Sequence, residues 1–173
     1  MNPKTIALMS LISTATVAAP AGHQLEVMKR PLRVSTSAEF PLPAAIVWKL
    51  IAGFNTLPDY HASITTSELL EGGAVRKIGL TEEAGGGFVV ERLVYFNDDT
   101  REFSYRIEKL VECRFPLRDY QAFVRLEPLG DQRCRLHWGS AFTVEGVPDA
   151  EGEELARVIY EGCYTGIRRV LIR

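Results

Sequence analysis

Apolar and polar residues alternate over residues 32–40 (LRVSTSAEF), the period of two of a half-buried strand. Pro41 and Pro43 end the run, and a proline suits the first turn of a helix, where its missing N–H had no partner to lose. Ile46, Leu50 and Phe54 then recur at i, i+4 and i+8, with Val47 and Ile51 alongside, which predicts a helix with one apolar stripe. Gly53, Asn55 and Pro58 break it, and Leu57-Pro58-Asp59-Tyr60-His61 predicts a second short helix or turn. Six strands follow, at residues 64–70, 75–80, 88–96, 101–110, 119–129 and 133–144. Gly72-Gly73, Asn97-Asp98-Asp99 and Gly130-Asp131 separate neighbours by short turns, which favours antiparallel hairpins. Asp149 stands where an N-cap belongs. Beyond it Leu155, Val158, Ile159, Cys163, Ile167, Val170 and Leu171 share one face at helical spacing. Glu151, Glu153 and Glu154 come early in this helix and Arg168, Arg169 and Arg173 late, as the helix dipole favours.

Strand, two helices, six strands and one long helix make an α+β fold: a curved seven-stranded antiparallel sheet closed by the C-terminal helix. A sheet that wide twists and curves, and one helix covers only part of its concave face, so the plan predicts a cavity between them. In the last strand Leu136, Trp138, Ser140 and Phe142 face inward, against Arg135, His137, Gly139 and Ala141 outside. Tyr120, Ala122, Val124 and Leu126 form another inner set, as do Phe103, Tyr105 and Ile107. The stretch GFVVERL is apolar on both sides, yet carries Glu91 and Arg92 in its middle. Hairpin register decides which way they face. A three-residue loop pairs Leu93 with Tyr105 and Tyr95 with Phe103, and turns Glu91 inward. A two-residue loop, Asp98-Asp99, sets Glu91 opposite Arg106 on the outside, a surface ion pair worth little. The pattern leaves both open.

Composition narrows the classes. The chain has 173 residues, the size of one domain with a real core. A net charge of −2 provides no basic field for nucleic acid. No stretch has the length of a membrane span. Residues 6–19 (IALMSLISTATVAA) follow Lys4 without a charge, the length of a signal-peptide apolar region, and Ala19-Pro20-Ala21 supplies a small-x-small cleavage pattern. Residues 1–21 are therefore expected to be a signal peptide, 22–31 a leader or linker and 32–173 the folded domain, with a periplasmic or secreted location. A start at Met28 would instead leave the protein cytoplasmic. Cys113, Cys134 and Cys163 are three and widely spaced, neither a disulfide framework nor a metal set. They are expected as buried small hydrophobes, with a Cys113–Cys134 bridge the alternative in an exported protein. No metal and no cofactor is expected.

Several short motifs recur in one order: Val47-Trp48-Lys49-Leu50-Ile51-x-x-Phe54, Glu91-Arg92-Leu93 followed by Asp98-Asp99, Phe103-Ser104-Tyr105, Pro116-Leu117-x-Asp119-Tyr120, and the long last helix. Together they resemble the Bet v 1-like, START-related superfamily (SRPBCC), in its polyketide cyclase/dehydrase-like branch, from about Leu32 to the end. The resemblance implies a helix-grip fold. In the plant abscisic-acid receptors of the same broad family the Glu-Arg-Leu glutamate lines the pocket, which implies that Glu91 faces inward, with Tyr120 and Arg76. Those receptors' anchoring lysine falls near Thr65, and their gate-loop motif is missing from TEEAGGG, so a hormone receptor of that type is not expected.

The resulting expectation is a small lipophilic ligand in an internal cavity. Leu93, Tyr105, Tyr120, Trp138 and Phe142 would supply area; Glu91, Arg76 and the tyrosine hydroxyls would orient it. Gly162 and Gly166 would leave room for the ligand or for closer packing of the helix. A cyclase or dehydratase is the alternative, with Glu91 as base, Tyr105 or Tyr120 as acid and Arg76 stabilising an enolate. A periplasmic accessory protein without catalysis is the third reading. His61, near the mouth, and His137, on the outer face, are expected as capping or surface histidines.

Overall fold

The computed structural model describes residues 30–172, so the expected signal peptide at 1–21 and most of the linker lie outside the described residues. Strand β1 (Val34–Phe40) leads into helix α1 (Ala44–Ile51) and the four-residue α2 (Leu57–Tyr60). Strands β2 (Ile64–Leu70), β3 (Val75–Leu80), β4 (Phe88–Asn97), β5 (Glu102–Val111), β6 (Leu117–Pro128) and β7 (Cys134–Val144) follow, then α3 (Asp149–Leu171). The seven strands form one antiparallel sheet in the order β1-β7-β6-β5-β4-β3-β2. Sequence neighbours pair as hairpins, and β1 closes onto β7 across the whole chain, so the sheet wraps α3 in a helix-grip fold.

The inner faces of β5, β6 and β7 are as the alternation implies: Phe103, Tyr105, Tyr120, Ala122, Val124, Leu136 and Trp138 are all buried. Each large apolar side chain taken from water contributes about 1.5–3 kcal/mol, so this face and α3 dominate the stability. The helices keep only part of their expected faces: Val47, Ile51, Phe54, Cys163 and Ile167 are buried as expected. In α1 the buried stripe is Ala44, Val47, Trp48 and Ile51, while Ile46 is 45% exposed and the helix ends before Phe54. Trp48 takes the inward place instead, stacked on Phe96 and tilted against Phe103. In α3 the buried face is Ala156, Tyr160, Cys163, Tyr164, Gly166 and Ile167. Val158 is 57% exposed. Two tyrosines with hydroxyl partners inside the grip fix this rotation: Tyr164 bonds Thr36 Oγ1 at 2.8 Å and Tyr160 bonds Tyr120 at 3.0 Å. Asp149 is not the N-cap. Pro148 holds that position without a side-chain bond, and Asp149 instead pairs with Arg33 at 2.7 Å. The three cysteines are free, with Cys134 and Cys163 buried and Cys113 half-buried, so the Cys113–Cys134 bridge is not formed.

The β4–β5 hairpin follows neither expected loop. Leu93 pairs with Tyr105, but a bulge then sets Tyr95 against Ser104 and Phe96 against Phe103, and the turn lies between Asn97 and Glu102. A second bulge places Glu91 opposite Ile107. Bulges insert a residue and change the face of everything beyond them. They are why alternation alone could not fix this strand. Arg92 is the outward charge, bonded to Glu108 at 2.7 Å. The hairpin tip is tied back to α1: Trp48 stacks on Phe96, and its indole Nε1–H donates to Asp98 Oδ1 at 2.6 Å. Trp48→Phe keeps the ring and loses this bond, so it should lower the unfolding free energy by about 1.5–3 kcal/mol in urea titrations. Asp98→Ala should cost a similar amount and add little to Trp48→Phe.

Strands β5 and β6 pair only between Glu102–Arg106 and Arg125–Gln121. Beyond that they part, leaving an open surface cleft of about 670 Å³ that includes Ile107, Leu110, Cys113 and Leu117 among charged residues.

Candidate functional site

Between α3 and the strands β3, β4 and β5 lies an inner cavity of about 240 Å³. Its walls are mainly apolar: Ile78 and Leu80 from β3, Val89 from β4, Ile107 from β5, and Leu155 and Ile159 from α3. Tyr105, Tyr120 and Trp138 form the inner end, and Glu91 is the buried carboxylate in its wall, 5% exposed. The exposed Glu83 and Val158 belong to the outer end, with Ala84 and Phe115. This explains the helix rotation from the other side. Leu155, Val158 and Ile159, part of the expected apolar face, line the cavity, and Ile159 also packs against the core.

Two loops frame the mouth, residues 81–87 and 112–116. They touch through the Arg114 N–H, which donates to Gly85 O at 3.1 Å. Gly87 has φ +63°, and a Cβ there would lie 2.3 Å from Val111 O, so only glycine brings the loops this close. A short turn at Glu82–Ala84 is capped by Thr81, whose Oγ1 accepts from Ala84 N at 3.3 Å.

Glu91 is held by Arg76, its direct cross-strand partner on β3. Arg76 Nε donates to Glu91 Oε2 at 2.6 Å and Nη1 donates to Phe54 O at 2.7 Å. The guanidinium also lies over the Phe54 and Tyr105 rings, 4.2 Å and 4.8 Å from their centroids. Burial is the strongest influence on this cation and works against it, but the Glu91 carboxylate with Tyr105 and Tyr60 together outweigh burial, so the Arg76 guanidinium is held above its ordinary range. Among the described residues, two enclosed side-chain atoms lack any partner: Arg76 Nη2 and Ser67 Oγ. Glu91 Oε1 accepts no hydrogen bond from the described residues either, but it is not enclosed: it opens on the cavity.

The aromatic end is a hydrogen-bonded group. Trp138 Nε1–H donates to Tyr105 OH at 3.3 Å, which leaves the Tyr105 hydrogen uncommitted among the described residues. Tyr120 OH meets Tyr160 OH at 3.0 Å, and Tyr160 also bonds Ser140 Oγ. Burial pushes the Tyr105 and Tyr120 hydroxyls well above the usual phenol range, and Tyr160 up to about 12. They are therefore hydrogen-bond donors at neutral pH, not bases.

The structure brings together four of the expected site residues, Glu91, Tyr105, Tyr120 and Trp138. Arg76 stands behind Glu91 rather than in the wall. Phe142 stacks against Tyr120 at 6.2 Å and lies under Arg33, outside the lining. Leu93 shares the inner face of β4 but is also outside it. The two helical glycines do not make room for a ligand. A Cβ at Gly166 would lie 1.4 Å from Tyr60 O, and one at Gly162 would lie 2.9 Å from His61 Nε2, so both exist to let α2 and its flank pack on α3.

His61 has a larger part than a surface cap. It is buried and lines the cavity. Its Nε2 lies 3.1 Å from Ile159 O and its Nδ1 accepts from Ser63 N at 3.2 Å, which assigns the neutral Nε2–H tautomer. Burial holds its pKa below the ordinary value, outweighing the Ile159 bond. The unfolded chain therefore takes up this proton at a higher pH than the folded chain does. Stability should be lost as pH falls through the ordinary histidine range, about 6.5. Wild type should lose more stability than His61→Gln between about pH 7.5 and about pH 5.5, as read by urea midpoints at each pH. Little in the sequence pointed to this role: of the two ring partners of His61 among the described residues, Ile159 lies 98 residues away.

The described residues hold no cluster of histidine, cysteine, aspartate or glutamate suited to a metal, and no helix long and apolar enough to cross a membrane. The chain matches the family described as polyketide cyclase/dehydrase and lipid transport over residues 31–169. Comparison with curated proteins finds no match. Among solved structures it is similar to the protein XoxI from Bacillus cereus, at 31% identity and TM-score 0.73, covering 80% of this chain and 94% of that one. A START superfamily protein from Mycobacterium smegmatis shares 15% identity and a TM-score of 0.68, covering 81% and 97%. The Zhui aromatase/cyclase from Streptomyces sp. R1128 shares 18% identity and a TM-score of 0.63, covering 82% and 92%. The last two show the fold alone. With the helix-grip sheet and its inner cavity, the match over residues 31–169 places this chain in the polyketide cyclase/dehydrase and lipid-transport family.

Proposed function

We propose that this protein binds one small, mainly apolar molecule in the cavity between the sheet and α3. The observation that carries this reading is Glu91 Oε1, a carboxylate oxygen without a partner among the described residues, opening into an otherwise apolar space. A purely structural ion pair is best made with both carboxylate oxygens on the guanidinium fork. Here one oxygen is used, and the cost of leaving a buried acceptor unmade is offset if a ligand or water completes it. Apolar walls with a few placed polar groups are the usual composition of a small-molecule site.

Cyclase or dehydratase chemistry is the weaker reading. It asks for an acid and a base of matched strength. The tyrosines are pushed far from that range, and Glu91 is bound to Arg76. Calorimetric titration with 4-propylphenol should give saturable one-site binding. Ile159→Phe, which fills the cavity from its half-buried helix side, should weaken binding at least about 10-fold, with little change in melting temperature. Equal binding by the filled variant would place the ligand elsewhere. Conversion of a polyketone substrate by wild type, lost in Glu91→Gln, would replace this reading with the enzyme.

A further inference from the structure

Resting on that binding reading, we infer that the cavity selects an uncharged molecule of about one ring that carries a hydroxyl, and rejects its carboxylate and ammonium counterparts. Size comes first. A space of about 240 Å³ is roughly eight water volumes, enough for a one-ring phenol or a short branched alcohol.

Charge comes next. The lining contains no lysine or arginine among the described residues. The nearest cation, Arg76, is spent on Glu91, Phe54 O and two aromatic rings, and its unpartnered Nη2 is enclosed rather than open to the cavity. An anion would therefore lose its hydration without a cation to meet it, and would pass Glu83 at the mouth. A cation gains less from Glu91 than from a bare carboxylate, because the Arg76 guanidinium at 2.6 Å already neutralises it. It too would give up its hydration in an apolar space.

Hydrogen bonding completes the selection. Glu91 Oε1 can only accept, so the ligand must donate. The Tyr105 hydroxyl accepts from Trp138 and its own hydrogen has no acceptor among the described residues, so it offers a donor on the neighbouring strand of the same inner face. A hydroxyl both donates and accepts, and so suits both groups. An ether only accepts, and leaves Glu91 Oε1 unmade.

The test is calorimetric titration of the wild-type protein with four compounds of one shape: 4-propylphenol, 4-propylanisole, 4-propylbenzoate and 4-propylbenzylamine. The phenol should bind about 10- to 100-fold tighter than the anisole, the worth of a hydrogen bond to a charged acceptor. The benzoate and the benzylamine should bind more weakly than the phenol. Tyr105→Phe should weaken the phenol and the anisole alike and leave the preference for phenol standing, because both oxygens accept from Tyr105 and only the phenol donates to Glu91. If the anisole binds as tightly as the phenol, the hydroxyl selection is wrong while the binding cavity stands. If the benzoate or the benzylamine binds tightest, the charge argument is wrong. If none of the four binds, the cavity reading itself falls and the selection falls with it.

Discussion

Replacing Arg76 by methionine should lower the unfolding free energy by about 3–5 kcal/mol, the cost of leaving a buried charge without its partner. For a chain of this size that corresponds to a fall of roughly 10 °C in melting temperature. The reason is geometric. Glu91 is 5% exposed and its one protein partner among the described residues is the Arg76 Nε. Removing Arg76 also strips the donor from Phe54 O and the cation from above the Phe54 and Tyr105 rings. Glu91→Gln should cost less, because Arg76 keeps the Phe54 carbonyl and both rings. The double variant Arg76→Met, Glu91→Leu should recover most of the loss, since a well-packed apolar pair can replace a buried ion pair. Thermal denaturation of the three variants measures the asymmetry. Equal losses in both single variants would show that the pair acts alone, without the rings and the carbonyl.

Gly166→Ala is the second large effect. Alanine is the better helix former by about 0.8–1 kcal/mol, which alone predicts a gain. The packing contradicts it. The added Cβ would lie 1.4 Å from the Tyr60 carbonyl oxygen and 2.5 Å from its carbon, both backbone atoms that cannot rotate away. Helix α2 must move off α3, carrying Tyr60 and His61, and the loss should exceed about 3 kcal/mol. Gly162→Ala should be milder, because its clash at 2.9 Å is with the His61 ring, which can turn. A stabilised Gly166→Ala would mean that α2 does not pack on α3 as described.

The chain order and the inner faces of β5, β6 and β7 were legible because alternation over a half-buried strand is a strong signal. Tyr105, Tyr120 and Trp138 came from that alternation directly. Glu91 did not, because two bulges in the β4–β5 hairpin break the period and because its strand is apolar on both faces. Family resemblance, not pattern, turned it inward. The faces of α1 and α3 were only partly legible for a shared reason: aliphatic spacing does not place aromatics with a polar tip, and Trp48, Tyr160 and Tyr164 are buried with their polar atoms bonded. Leu155, Val158 and Ile159 were legible as part of one apolar face, but hydrophobic spacing cannot tell a cavity wall from a core. Arg76 was placed facing inward with Glu91, but its occupation by Phe54 O depends on a connector 22 residues away in sequence.

The most direct measurement is chemical-shift mapping by NMR during titration with 4-propylphenol. The account predicts saturable shifts at Ile78, Glu91, Tyr105 and Ile159, the walls of the inner cavity. Shifts confined to Glu108, Leu110, Arg114 and Asp119 would put the ligand in the open cleft between β5 and β6 and contradict it.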